Sequence, residues 1–107
     1  MKTLVIIDDE VFFRKSLINF LEKQNIYKIV GEANNGQAGI KLIENIKPDI
    51  ALVDISMPIM SGLDMIETFG ADCHTKFILS TGFPSEYLIK FAYQFYRITH
   101  FPWRKTT

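Results

Sequence analysis

Excess charge, disulfide-forming cysteines and long apolar stretches are all missing from this chain, and each absence excludes a class of protein. The single cysteine, Cys73, rules out an intramolecular disulfide and favours a reducing compartment. No apolar run reaches the roughly 18 residues that a membrane span needs. The formal net charge is zero, so composition gives no sign of binding to nucleic acid or to an anionic membrane. We therefore expect one cytoplasmic domain in the 107 residues.

Short apolar runs alternate along the chain with segments of helical spacing. The runs 3–7 and 50–53 are wholly apolar apart from Thr3, as in strands that are buried on both faces of a parallel sheet. The predicted strands lie at 3–7, 27–33, 50–53, 77–80 and 98–101, of which 27–33 is an edge strand and 98–101 is weak. The predicted helices lie at 11–24, from Asn35-Gly36 to Pro48, at 63–69 and after Pro84. The first helix has an apolar face of Phe13, Leu17, Phe20 and Leu21.

This alternation predicts an α/β fold with a doubly wound parallel sheet. Repeated strand–helix units require right-handed crossovers, which place helices on both faces of the sheet. A fifth helix should complete the covering of the sheet. Too few residues follow position 101 to form it, so we expect the last helix to be missing or replaced.

Acidic residues follow the first and third predicted strands. Asp8 and Asp9 end the first strand, and Asp54 follows the third. In a doubly wound sheet these strands are neighbours, and their carboxyl ends line the ligand crevice. Crowded carboxylates are stabilised by a hard divalent cation, and Mg²⁺ prefers carboxylates, waters and phosphate oxygens. Asp54 could attack a phosphoryl group, with the Thr81 hydroxyl bonding to it, or Asp54 could simply cap a turn.

Several short motifs occur in a specific order. They are Val5-Ile6-Ile7-Asp8-Asp9-Glu10, Val30-Gly31-Glu32-Ala33 with Asn35-Gly36, Pro48-Asp49, Asp54-Ile55-Ser56-Met57-Pro58, Ser61-Gly62-Leu63-Asp64 and Leu79-Ser80-Thr81-Gly82. Together, over roughly residues 2 to 101, they resemble the receiver domain of bacterial two-component response regulators. The resemblance implies a flavodoxin-like fold with strand order 2-1-3-4-5 and a role in phosphorelay signalling, often in the control of transcription.

The resemblance also implies a role for each matching residue. Asp54 would accept a phosphoryl group from a sensor histidine kinase. Asp8, Asp9, Asp54 and the backbone carbonyl of Ser56 would hold Mg²⁺. Thr81 would be the switch hydroxyl, and Phe101 the aromatic side chain that changes rotamer. Such a domain assists only its own phosphorylation and dephosphorylation, so we do not expect an enzyme, and it does not itself bind nucleic acid.

The end of the chain departs from the family pattern. The family has two apolar residues and then Lys-Pro after the aromatic residue, whereas Pro102-Trp103-Arg104-Lys105 follows Phe101 here. Arg104 or Lys105 would have to replace the phosphate-contacting lysine, although arginine differs from lysine in geometry. The alternative is a basic, frayed terminus. We interpret residues 1–107 as one receiver domain, atypical or truncated after about residue 96, with no output domain.

Other functions follow from the same departures. Apolar surface left bare by a missing helix is often covered by a partner, so a homodimer through this region is one expectation. A receiver-like module that binds partners or dimerises, without switching, is the alternative function. A phosphatase with an aspartate nucleophile is disfavoured, because Ser56 stands where its second acid belongs. A flavin site is disfavoured by the acids after the first strand.

Overall fold

Strands and helices alternate through the part of the chain that the structure, a computed structural model, describes: residues 1–70, 72–80 and 99–100. The elements are β1 (Lys2–Ile7), α1 (Val11–Gln24), β2 (Tyr27–Ala33), α2 (Gly36–Ile46), β3 (Ile50–Asp54), α3 (Gly62–Glu67), β4 (Lys76–Ser80) and β5 (Thr99–His100). Most predicted boundaries differ from these by one or two residues. Among the described residues, no helix combines the length and the apolar character that crossing a membrane requires.

The strands form one sheet in the order β2-β1-β3-β4-β5, and every neighbouring pair is parallel. The predicted flavodoxin-like order is therefore confirmed, and so is the prediction of β2 as an edge strand. The chain adds β2 on one side of β1 and then crosses to the other side to add β3. This reversal of direction makes the carboxyl ends of β1 and β3 the place where a doubly wound sheet opens a crevice.

The core has two halves, one on each face of the sheet. Because side chains alternate along a strand, Val5 and Ile7 of β1 point to one face, whereas Leu4 and Ile6 point to the other. Helices α2 and α3 cover the first face and α1 covers the second, as the alternating pattern predicted. Each fully buried aliphatic side chain stabilises the fold by about 1.5–3 kcal/mol. The helical residues at the centres of the two halves are Ile43, Met65 and Ile66 on one face and Leu17 and Leu21 on the other.

The buried face of α1 differs from the predicted one. Leu17 and Leu21 are buried as expected, but Phe20 is 41% exposed, so its assignment to the buried face is wrong. Arg14, which was not among the residues of the predicted apolar face, is only 8% exposed. Arg14, Leu17 and Leu21 are spaced i, i+3 and i+7, which is one side of a helix. Phe20 lies about 100° around the helix from Leu21, at the margin of that side.

Two local boundaries also correct the predictions. Asp54 is the last residue of β3, not the first residue of the following loop. Helix α3 begins one residue earlier than predicted because Ser61 caps it. The Ser61 hydroxyl accepts from the Asp64 N–H at 3.1 Å, and the Asp64 carboxylate accepts from the Ser61 N–H at 3.4 Å. This reciprocal pair is a capping box, and it fixes where the chain leaves the β3–α3 loop.

Several predicted features lie outside the described residues. They are the helix after Pro84, the strand residues Ile98 and Phe101, and the segment from Pro102 onward, including the predicted loss of the last helix. Of the predicted fifth strand, the structure describes Thr99 and His100, which lie beside Ile78 and Leu79 of β4.

A polar cluster joins the amino ends of β1 and β3, at the sheet edge opposite the acids. One Asp49 carboxylate oxygen accepts from the Thr3 N–H at 2.8 Å and from the Thr3 hydroxyl at 3.1 Å. The other carboxylate oxygen lies 3.0 Å from His74 Nε2, whose side chain is exposed. Three hydrogen bonds hold the pKa of Asp49 below its ordinary value of 3.8. The bond from the Thr3 N–H has the largest effect, followed by those from His74 and the Thr3 hydroxyl, whereas burial acts in the opposite direction.

We predict that Asp49→Asn lowers the thermal unfolding midpoint at pH 7. A carboxyl group whose pKa is lowered by folding stabilises the protein above its ordinary pKa, and this stabilisation is lost as the pH falls through the folded-state pKa. The difference between wild type and variant should therefore shrink when the pH is lowered past 3.8. Circular dichroism melts across this pH range measure it, with the exposed Asp72→Asn as control. A difference independent of pH would contradict the role of the charge.

Candidate functional site

Three carboxylates meet at the carboxyl ends of β1 and β3. One oxygen from each of Asp8, Asp9 and Asp54 lies within 4.8 Å of the others. The sequence predicted that these three acids would share one crevice, and the structure brings them together. Their roles as metal ligands and as phosphoacceptor stay predictions at this point.

The register of the sheet accounts for this meeting. Ile7 and Val53 are paired across β1 and β3. Because the strands are parallel, the residues that follow this pair, Asp8 and Asp54, emerge at the same edge of the sheet. A shift of one residue would turn one of the two side chains to the other face.

The acids differ in their exposure to solvent. Asp8 is 2% exposed and Asp54 is 1% exposed, whereas Asp9 is open to solvent. A ligand crevice at the strand ends would be open to solvent, so the site is more enclosed than expected. Removing an ionised carboxylate from water costs several kcal/mol unless charges or hydrogen bonds compensate it. The site therefore requires compensating partners.

Backbone amides supply part of this compensation. One Asp8 oxygen accepts from the Glu10 N–H at 2.9 Å, and one Asp54 oxygen accepts from the Ser56 N–H at 3.1 Å. Both bonds span two residues, as in the turns that aspartate commonly caps. The interpretation of Asp54 as a turn-capping acid thus describes one real contact. It does not account for two further carboxylates beside Asp54.

The three acids fit a magnesium ion. All three side chains offer oxygen, the donor that a hard cation prefers. Oxygens around an octahedral Mg²⁺ lie about 3 to 4.2 Å apart, since each is about 2.1 Å from the ion. The observed limit of 4.8 Å exceeds the shorter of these separations by about 1.8 Å, so each of two neighbouring carboxylates would have to move by less than about 1 Å. The side chains present could therefore hold Mg²⁺ with a small local adjustment.

Four other predicted site residues cannot be placed beside the acids. Thr81, Phe101, Arg104 and Lys105 lie outside the described residues. Ser56 is described through its N–H, which bonds to Asp54, and its carbonyl remains a predicted ligand only.

Sequence reasoning missed a basic side chain next to this site. Arg14 Nη1 donates to the backbone carbonyl of Asp8 at 2.6 Å, and Arg14 Nε donates to Glu32 at 2.7 Å. Lys15 also pairs with Glu32, at 2.9 Å, from an exposed position. These bonds, first that from Arg14 and then that from Lys15, hold the pKa of Glu32 below its ordinary value. The i, i+3, i+7 spacing of Arg14 with Leu17 and Leu21 was the signal that could have revealed its burial.

Gly62 packs directly against the backbone of the predicted acceptor. A Cβ atom at Gly62 would collide with the Asp54 carbonyl oxygen and would lie 2.9 Å from Ile55 Cα. The Gly62 N–H also donates to the Ile55 carbonyl at 2.9 Å. The first residue of α3 thus contacts the end of β3, and only glycine permits this close approach.

The β3–α3 loop contains an unusual backbone conformation. Ile59 has a φ of 70° and is fully exposed. The left-handed region disfavours β-branched residues, since their Cβ crowds the following carbonyl. Ile59 is therefore strained without gaining any burial in return.

Comparisons with known proteins agree with this fold. Residues 4–96 match the family model of the response regulator receiver domain. The transcriptional regulatory protein YdfI of Bacillus subtilis is 35% identical over 89 residues, which are 83% of this chain and 42% of that protein. The transcriptional regulatory protein BtsR of Escherichia coli is 37% identical over 90 residues, which are 84% of this chain and 37% of that protein. The chain therefore spans less than half of the length of these relatives.

A solved structure shows the same fold. The signal receiver domain of a protein named NarL, from Mycobacterium tuberculosis, superimposes with a TM-score of 0.82 and 27% identity, over 92% of this chain and 82% of that one. The chain belongs to the response regulator receiver domain family, as its motifs predicted.

We predict that Gly62→Ala destabilises the fold by about 1–3 kcal/mol, the usual cost of overpacking. The added methyl must displace the Asp54 carbonyl or the start of α3. Gly70→Ala is the control, since a Cβ there meets nothing within 4 Å. Urea unfolding of both variants measures the difference. Equal stabilities would show that the contact between α3 and β3 does not constrain position 62.

Proposed function

We propose that this domain accepts a phosphoryl group from a histidine kinase onto Asp54, in a reaction that depends on Mg²⁺. The observation that carries the proposal is the gathering of three carboxylates within 4.8 Å, with Asp54 at the end of the strand beside Asp8. Membership of the receiver family supports it. The two relatives described above are named transcriptional regulatory proteins, which supports an output in transcription control. We propose the cytoplasm as the compartment in which this domain works.

The transfer step uses Asp54 as the nucleophile. One of its oxygens attacks phosphorus and forms an O–P bond, while the P–N bond to the donor imidazole breaks and its electron pair stays on the donor nitrogen. The Ser56 N–H orients the Asp54 carboxylate for this attack. Asp8 and Asp9 supply the remaining acidic oxygens for the cation. Bound Mg²⁺ neutralises charge on the transferred group.

The remaining roles in this proposal fall on residues outside the described ranges. The Thr81 hydroxyl would bond to the transferred phosphoryl group, and Arg104 or Lys105 would supply a counter-charge. Phe101 would change rotamer as the surface of the fourth helix and fifth strand changes. These bonds would bias a two-state equilibrium toward the active surface.

We expect acetyl phosphate with Mg²⁺ to phosphorylate the wild-type chain once, as read by intact mass. Asp54→Asn should abolish this modification, because the amide is not a nucleophile toward phosphorus. Asp72→Asn, which removes an exposed acid away from the site, should leave it unchanged. Phosphorylation that persists in Asp54→Asn would exclude Asp54 as the acceptor. A wild type that is never modified would favour the non-switching interaction module.

We expect Asp9→Asn to weaken Mg²⁺ binding by at least about tenfold, as measured by isothermal titration calorimetry. A unit charge about 4 Å from a divalent cation contributes about 8 kcal/mol at an effective dielectric constant of about 20, before desolvation is subtracted. Removal of Mg²⁺ with a chelator should likewise stop the modification by acetyl phosphate. Unchanged affinity in Asp9→Asn would show that this carboxylate is not a ligand.

A further inference from the structure

Arg14 is a buried cation beside the acidic site. It is the one buried cationic side chain in the part of the chain that the structure describes. A buried guanidinium is stable only when its charge is paired and its N–H groups are bonded. Glu32 on β2 provides the charge, at 2.7 Å, and the Asp8 backbone carbonyl provides an acceptor, at 2.6 Å. The second contact connects Arg14 to the acidic site.

Asp8 is held at each of its main polar groups. Its N–H donates to the Ala33 carbonyl at 3.0 Å. Its carbonyl accepts from Arg14, and one carboxylate oxygen accepts from the Glu10 N–H at 2.9 Å. The Arg14 side chain therefore helps to fix the peptide plane after Asp8. If this bond is lost, the Asp8 backbone and the carboxylate attached to it are held less firmly.

The network has the geometry of a brace between three elements. Arg14 lies on α1, Glu32 lies on β2 beside Ile6 of β1, and Asp8 follows β1. An arginine suits this place because its planar fork offers two N–H groups in fixed directions. Lysine has a single ammonium group on a flexible stem and would not hold both acceptors in the same way.

We propose that Arg14 is a positioning residue for the cation site, which fixes the Asp8 backbone so that the Asp8 carboxylate is ready to bind Mg²⁺. This inference rests on the function proposed above. It assigns to Arg14 a role that is separate from its charge. Residues that orient metal ligands without touching the metal commonly change affinity by about 10- to 100-fold when mutated.

The loss of charge and the loss of positioning at Arg14 have opposite predicted effects on Mg²⁺ affinity. This difference makes the inference testable. Removing a positive charge close to three carboxylates should strengthen cation binding by Coulomb attraction alone. Losing the brace on Asp8 should weaken it. Lys15 is the matched control, since it also bonds to Glu32 and carries the same charge, but its ammonium group bonds to Glu32 from an exposed position and not to the Asp8 carbonyl that Arg14 contacts.

We expect Arg14→Gln to weaken Mg²⁺ binding by about tenfold or more, and Lys15→Gln to change it by less than about twofold. Titration calorimetry of the full chain measures both, at a temperature where circular dichroism shows each variant to be folded. In the metal-free protein, Arg14→Gln should also shift the amide resonances of Asp8 and Glu10, whereas Lys15→Gln should not. A purely structural role would lower the unfolding midpoint without changing the affinity of the folded protein.

Arg14→Lys carries the test if Arg14→Gln does not fold. It keeps the charge and loses the fork, so electrostatics predicts no change in Mg²⁺ affinity and positioning predicts weaker binding. Arg14 variants that bind Mg²⁺ as tightly as wild type would overturn the inference and leave the proposed function standing. A wild type that does not bind Mg²⁺ at millimolar concentration would overturn the proposed function and this inference with it.

Discussion

Repulsion between like charges is the constraint around which this domain is arranged. Asp8 and Asp54 follow a paired position of two parallel strands, so the fold itself forces their carboxylates together. Such crowding is tolerated only with compensation, and the structure provides it in backbone N–H groups from Glu10 and Ser56. Three carboxylates in one place also attract a cation. The fold thus concentrates negative charge at the carboxyl ends of β1 and β3. The chemistry that we propose uses this charge to bind a cation.

The layers of the fold direct this chemistry to the strand ends. Helices α2 and α3 cover one face of the sheet and α1 covers the other, with residues such as Ile43 and Leu17 closing the two faces. A ligand can approach a sheet that is covered in this way only from an edge or an end. The two ends differ in charge balance. At the amino ends, Asp49 is satisfied by Thr3 and His74, whereas at the carboxyl ends three carboxylates share one space.

Much of this could be predicted from sequence, and the failures have physical causes. The parallel sheet and the meeting of Asp8 with Asp54 followed from short apolar runs that end in acids, and the strand order followed from the resemblance to the receiver family. The buried face of α1 was predicted less well. Phe20 was assigned to it because phenylalanine is apolar, and Arg14 was left out of it because arginine is charged. Arg14 is buried because Glu32 and the Asp8 carbonyl satisfy it, and both partners are distant in sequence or hidden in the backbone. The spacing of Arg14 with Leu17 and Leu21 indicates the side of the helix on which it lies, but not the partners that satisfy it there.

The exposed isoleucine of the β3–α3 loop has a consequence for how this segment evolves. Ile59 adopts a left-handed backbone conformation and contributes nothing to the core, so glycine or asparagine there would lower the energy of the folded chain. Selection for thermal endurance alone would therefore replace it. The strained backbone of Ile59 therefore stores conformational energy in the loop. This strain lies three residues before Gly62, which contacts the end of β3. Any rearrangement that lets position 59 return to an ordinary backbone geometry would begin with that energy already in its favour.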